Sequence, residues 1–162
     1  MYSTPRAATV VSKGEGVCWQ LDRDTFNHIV KGAASKKRER YASFLEKVPL
    51  LSGMDNYERT QLADALRTEE FAADATIVTQ GEPGSKFYIV EEGAAIATKS
   101  GVEVMKYGIG DYFGELALIR NQPRAATVTA QTPVKLLTLD SCSFKRMLDV
   151  SAMMQRAQDR YA

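Results

Sequence analysis

A mainly β domain of the barrel or jelly-roll type, flanked by helices at both ends, is the fold that the sequence predicts. Three observations carry that expectation. Between Ala75 and Asp140, short β-prone runs alternate with turn residues. Apolar residues at helical spacing stand on either side of that stretch. One hexapeptide also occurs twice, as Pro5-Arg6-Ala7-Ala8-Thr9-Val10 and as Pro123-Arg124-Ala125-Ala126-Thr127-Val128, 118 positions apart. At that offset the first thirty positions contain nine identities, with Leu21 opposite Leu139, Asp22 opposite Asp140 and Phe26 opposite Phe144. A period this long indicates duplicated domains, since solenoid repeats run to roughly 20 to 50 residues. The expected organisation is the tail of a first copy over residues 1–31, a connecting helix over 32–48 and one complete domain over 49–162.

Each element follows in order. Residues 6–12 and 16–21 are short β-prone runs, and a helix starting after Asp22 puts Phe26, Ile29 and Val30 on one face. Val10, Val17, Trp19 and Leu21 would ordinarily pack inside a barrel, so residues 1–30 are expected to be poorly ordered or self-associating. A basic helical segment, Ser35-Lys36-Lys37-Arg38-Glu39-Arg40-Tyr41, continues through Phe44, Leu45 and Val48 until Pro49 stops it. Asp55 and Glu58 have capping-box spacing, ahead of an apolar stripe of Leu62, Ala63, Ala65 and Leu66. Strands are expected over 76–80, 87–91, 94–99, 102–107, 127–130 and 134–139. The turns between them fall at Gly81-Glu82-Pro83-Gly84, Glu92-Gly93, Ser100-Gly101 and Gly108-Ile109-Gly110-Asp111. Many short strands at this pitch fit a barrel or jelly roll. Asp140 can cap a helix bearing Phe144, Met147 and Leu148, and a last helical segment carries Met153, Met154, Ala157 and Tyr161.

Composition narrows the function classes. The 162 residues include 21 basic and 20 acidic ones for a net charge of +1, so no overall field favours a nucleic acid or a membrane surface. Any anion must be held locally. The run Lys36-Lys37-Arg38 is weak support for nucleic acid, and His28 has no sequence partner for metal binding or catalysis. Cys18 and Cys142 lack zinc-site spacing and read as reduced, buried thiols. No apolar run approaches the ~18 residues of a membrane span, and no signal-peptide core is visible. The expectation is a soluble, cytoplasmic protein, with the nucleus as an additional location. No catalytic constellation emerges: the chain is expected to be no enzyme and to use no metal or cofactor.

Residues 113–128 break the strand pattern. Gly114-Glu115-Leu116-Ala117-Leu118 fits one turn of helix, whose first amides expose partial positive charge to an anion. Arg124 adds a permanent charge and a planar fork that can grip two phosphate oxygens. Small Ala125 and Ala126 allow a ligand close to the backbone. The Glu115 carboxylate, an acceptor only, suits a sugar hydroxyl and repels phosphate. Singly, Gly114 fits a turn, Glu115 a solvated helix and Arg124 a surface ion pair. Their joint order, and the repeated arginine segment, points to a sugar phosphate.

Phe113-Gly114-Glu115-Leu116-Ala117-Leu118, followed by Pro123-Arg124-Ala125-Ala126-Thr127-Val128, resembles the phosphate-binding cassette of cyclic-nucleotide-binding domains. The tandem arrangement is similar to regulatory subunits of cyclic-AMP-dependent protein kinase. That resemblance implies an eight-stranded jelly roll with flanking helices. It implies Glu115 on the ribose 2'-hydroxyl, Arg124 on the cyclic phosphate, and backbone groups of Gly114, Leu116, Ala117 and Ala125 completing the pocket. Cyclic-GMP-dependent relatives usually place a threonine or serine after the arginine; Ala125 and Ala7 stand there here, which favours cyclic AMP.

The resemblance further implies that Tyr161 caps the adenine, with a frayed terminal tyrosine as the alternative. Arg6, Ala7 and Tyr57 correspond to the first copy's site, and Arg38 to an arginine that couples the two copies, against the plainer reading of a solvated helix charge. The implied partners are cyclic AMP, which relieves inhibition, and a protein kinase catalytic subunit, with no nucleic acid and no membrane. Because the first cassette's glutamate is missing and no arginine-rich pseudosubstrate segment appears, the chain is expected to be a truncated form that binds nucleotide but inhibits poorly. A transcription-factor sensor would call for a helix-turn-helix, and a gated channel for membrane spans.

Overall fold

A computed structural model describes residues 6–161, apart from the side chains of Val30, Ala34, Ala152, residues 156–158, Arg160 and Tyr161. The chain forms two compact units, Met1–Ala33 and Ala34–Ala162.

In the first unit the β-prone runs do not become strands. Val10, Val17 and Trp19 stand in backbone that pairs with no strand among the described residues, with Trp19 99% exposed. Strand propensity alone is insufficient, because a strand's amides and carbonyls need a neighbouring ladder. Asp22 caps helix α1 (Arg23–Phe26), accepting from the Thr25 amide at 2.8 Å and the Thr25 hydroxyl at 2.6 Å. Those bonds, the hydroxyl's first, hold the Asp22 carboxyl below its ordinary pKa. A π-helical turn, Asn27–Lys31, follows.

Helix α2 (Gly32–Glu46) ends two residues before Val48, whose backbone is extended as the residue before a proline must be. Pro49–Leu51 makes a single 3-10 turn with Pro49 at its start. Helix α3 (Asn56–Ala65) carries the expected capping box: the Glu58 amide donates to Asp55 at 2.8 Å, and the Asp55 amide donates to Glu58 at 2.9 Å.

Eight strands follow among the described residues: β1 (Arg67–Phe71), β2 (Thr76–Val78), β3 (Lys86–Glu92), β4 (Ala95–Lys99), β5 (Val102–Tyr107), β6 (Tyr112–Phe113), β7 (Thr127–Ala130) and β8 (Val134–Asp140). They form two four-stranded antiparallel sheets, ordered β1-β8-β3-β6 and β2-β7-β4-β5, rather than a closed barrel. Helix α4 (Glu115–Arg120) lies between β6 and β7, and α5 (Ser141–Met147) and α6 (Val150–Tyr161) end the chain.

Strand β3 explains the layering. Tyr88 and Val90 join Phe113, Val128 and Leu136 in a core between the sheets, while Phe87 and Ile89 join Leu137, Leu139, Phe144, the helical residues Leu45 and Leu62, and Leu66 just after α3 on the other side. A strand covered on both faces loses period-two polarity, which is why 87–90 is one apolar run. Two strands lay outside the sequence expectation. β1, Arg-Thr-Glu-Glu-Phe, is a polar edge strand without apolar alternation, and β6 is two residues long. The cysteines also differ from expectation: Cys18 and Cys142 are free but exposed, Cys18 in the unpaired segment and Cys142 on the outer side of α5, whose buried residue is Phe144.

Candidate functional site

The stretch between β6 and β7 builds the site. Gly114 caps α4 with φ +89°, a left-handed conformation that favours glycine, and a Cβ there would stand 2.5 Å from Nη1 of Arg124. The turn therefore lets the arginine lie directly against the backbone. Glu115, the first residue of α4, is 1% exposed. Asn121, left-handed with φ 50°, ends the helix and turns the chain toward Arg124.

Arg124 is pinned at both backbone and side chain. Its amide donates to the Glu82 carbonyl at 2.8 Å and its carbonyl accepts from the Gly81 amide at 2.9 Å, fastening it to the 81–84 turn. Its Nη1 donates to the Gly114 carbonyl at 3.0 Å and its Nη2 to the Lys86 carbonyl at 2.7 Å. The guanidinium carbon lies 5.7 Å from the centre of the Tyr88 ring. Tyr88 in turn stacks on Phe113, with ring centres 4.9 Å apart. Burial pushes the Arg124 guanidinium below its ordinary pKa, and the neighbouring Tyr88 and Glu115 groups oppose that shift. An arginine keeps its charge all the same, because the guanidinium is too basic to lose its proton in a protein. Burial likewise pushes the Tyr88 phenol up, partly offset by Arg124.

A cavity of about 490 Å³ opens here, lined by Gly114, Glu115, Leu116, Ala117, Arg124, Ala125 and Ala126 together. Part of its lining is apolar, with Val78, Ala97, Met105 and Tyr107. The cavity thus combines a buried cation, a buried carboxylate, the start of a helix and an apolar stretch of wall, a combination suited to a small amphipathic anion. Among the described residues, no group of three or more His, Cys, Asp or Glu side chains could hold a metal ion. Nor is any helix there long and apolar enough to cross a membrane.

Residues 68–151 match the sequence model of a family described as the cyclic nucleotide-binding domain. The chain belongs to that family.

A cAMP-dependent protein kinase regulatory subunit of Aspergillus niger is 49% identical over 98% of this chain, and the match covers 39% of that relative's length. Among solved structures, the regulatory domain of Toxoplasma gondii PKA, co-crystallised with cAMP, is 54% identical with a TM-score of 0.79, covering 86% of this chain and 56% of that one. A PKAR CBD2 with bound Sp-2Cl-cAMPS is 40% identical with a TM-score of 0.74, covering 79% of this chain and 88% of that one. The chain therefore spans about two fifths of the length of the curated relatives it matches.

Of the other residues singled out from the sequence, Tyr57 and Arg38 do not line this cavity of the cyclic nucleotide-binding domain. Arg6 and Ala7 are exposed in the first compact unit, and Tyr57, in the second, is 72% exposed near the start of α3. Tyr161 ends α6, and its side chain lies outside the described residues. Arg38 forms a two-pronged ion pair, Nε to Asp64 Oδ1 at 2.9 Å and Nη2 to Oδ2 at 2.6 Å. That contact, its hydrogen bond first, raises the Arg38 pKa and lowers the Asp64 pKa. Beside it, the Lys37 ammonium donates to the Leu66 carbonyl at 2.8 Å and the Asp64 carbonyl at 3.3 Å, at the end of α3 where a cation suits the helix dipole.

Several lining residues were missed from the sequence: the apolar wall, and two cations, Lys99 and Arg120. Period two was the available signal. Ala97 and Lys99 on β4, and Met105 and Tyr107 on β5, lie two apart and so share a face. Gly84 belongs to the turn expected at 81–84, and it also packs against the site: a Cβ there would stand 2.6 Å from the Ala117 Cβ and 2.8 Å from the Arg124 guanidinium carbon.

Proposed function

We propose that the chain binds cyclic AMP in this cavity, as a regulatory module of a cyclic-AMP-dependent protein kinase. One observation carries the reading: the Arg124 guanidinium and the Glu115 carboxylate are both buried in the wall of a single cavity. Among the described residues, two carbonyls take two of the five N–H donors of Arg124, leaving donors for the phosphate. The amides that open α4 have no acceptor within the helix and face the same anion. Glu115 accepts from the ribose 2'-hydroxyl. Backbone groups of Gly114, Leu116, Ala117 and Ala125 complete the pocket, and the small Ala126 leaves it open. The apolar wall suits the base, and Tyr161 would close over it by stacking, worth roughly 1–3 kcal/mol for a base on an aromatic ring. The names of the relatives support cyclic AMP and kinase regulation.

The finer assignments belong to the same reading. Residues 1–31 correspond to the end of a preceding copy, 32–48 to the connection and 49–162 to the nucleotide-binding domain. Arg6, Ala7 and Tyr57 correspond in position to residues of the preceding copy's site, and Arg38, through Asp64, serves the coupling. Nucleotide binding would release a kinase catalytic subunit by favouring one of two states, to the extent that the ligand prefers it. These 162 residues contain no arginine-rich pseudosubstrate-like run, so by themselves they are expected to restrain the kinase weakly.

Thermal unfolding with cyclic AMP, cyclic GMP and AMP in parallel tests the reading. Saturation at 100 times Kd stabilises by about 2.7 kcal/mol, roughly 5–10 °C for a chain of this size. Cyclic AMP is expected to give the largest rise; a rise with AMP alone, or with none of the three, refutes it.

A further inference from the structure

The cavity carries more positive charge than the phosphate grip uses. Lys99, Arg120 and Arg124 line it against one carboxylate, Glu115, a formal +2 around the cavity compared with +1 for the whole chain. Arg124 is buried and committed to two carbonyls, whereas Lys99 and Arg120 are exposed and so belong to the open rim. Among the described residues, no hydrogen bond or ion pair engages either rim side chain. Nearby Glu103 on β5 is already offset by Lys106 at 3.5 Å.

Both cations are held on rigid elements. Lys99 is the last residue of β4, opposite Val102, in a hairpin closed by Ser100 and Gly101 with φ 53° and 81°. Two successive positive φ angles make the turn that matches strand twist, and the Ser100 amide donates to Gln80 Oε1 at 3.0 Å, tying the hairpin tip to the end of β2. Arg120 stands in the last turn of α4, where the helix dipole favours a cation.

We propose that Lys99 and Arg120 are capture charges, which draw the anionic nucleotide into the cavity and raise its association rate without holding it once bound. The proposal rests on the cyclic-nucleotide reading above. A concave, low-dielectric wall of one sign concentrates an oppositely charged ligand and steers its approach. A unit charge about 8 Å from the entering phosphate changes the association rate about two-fold in water, so removing both lowers it about five-fold. The effect disappears near 0.5 M salt, where the screening length is about 4 Å.

The experiment is stopped-flow binding of cyclic AMP carrying a fluorescent group on its adenine ring, using the 162-residue chain, K99Q, R120Q and the double variant from low to high salt. The expected result is a fall in association rate of about two-fold for each single variant and five-fold for the double at low salt, converging at high salt, with dissociation unchanged. The salt dependence of the unaltered chain gives the same information without a substitution: its association rate must fall as salt rises. Unchanged association rates in the variants overturn the proposal, as does a loss confined to dissociation, which would make the two residues direct contacts. Binding that is normal but insensitive to salt overturns capture while leaving the nucleotide reading intact; failure of the unaltered chain to bind overturns both.

Discussion

Arg124 meets two demands that ordinarily conflict, burial of a permanent charge and readiness for a ligand. Two backbone carbonyls and the Tyr88 ring satisfy the first, and the planar fork keeps donors for the second. A lysine has the charge without the fork, so Arg124→Lys is expected to weaken cyclic AMP binding by about 1.5–3 kcal/mol, on the order of 10- to 100-fold, in calorimetry; unchanged affinity would remove Arg124 from the phosphate. Glu115→Gln replaces one acceptor oxygen with a donor. Its loss should be larger for cyclic AMP than for 2'-deoxy cyclic AMP, and equal losses would argue against the ribose contact. Gly84 tests the close packing around the arginine. Alanine there must displace Ala117 or Arg124, an overpacking cost of about 1–3 kcal/mol. Both the denaturation midpoint and nucleotide affinity should fall, and a Gly84→Ala variant with wild-type affinity would contradict the geometry.

At the scale of elements, α2 and α3 are joined by Arg38 and Lys37 rather than by apolar packing alone. The Asp64 carboxyl is held below the ordinary value of about 3.9, so its ion pair stabilises the fold above that pH and the contribution is lost as pH falls toward the lower folded value. Asp64→Asn should therefore be less stable than the parent at pH 7, the gap closing as pH falls below the ordinary carboxylate range. A gap that persists in acid would assign the effect to packing. The legibility of each element followed its physics. Helix α3 could be read because its capping box and apolar stripe are local signals. The hairpin of β4 and β5 was visible through Ser100-Gly101. Strand β1 was not, because an edge strand with polar residues is specified by its pairing to β8, 63 to 71 positions away, and not by its own pattern. Residues 6–21 differ in the opposite direction: their composition favours strands, but the described residues of the unit supply no ladder. In the cavity, the cassette residues were legible because they are contiguous in sequence, whereas Lys99 and the apolar wall come from strands brought together by the fold.

At the scale of the whole second unit, β3 lies between two cores. Tyr88 faces the cavity side beside Arg124, and Phe87 meets Phe144 of α5 at 5.1 Å between ring centres. A ligand that reorganises the guanidinium thus acts one residue away from the helical layer through which regulation would be expressed. The account stands on the cavity being the nucleotide site, and the structure of the chain crystallised with cyclic AMP tests this most directly. The predicted result is nucleotide within the cavity of about 490 Å³, phosphate oxygens about 3 Å from the Arg124 nitrogens and the 2'-hydroxyl on Glu115. An empty cavity beside nucleotide bound elsewhere, or a phosphate held by other side chains, would contradict it.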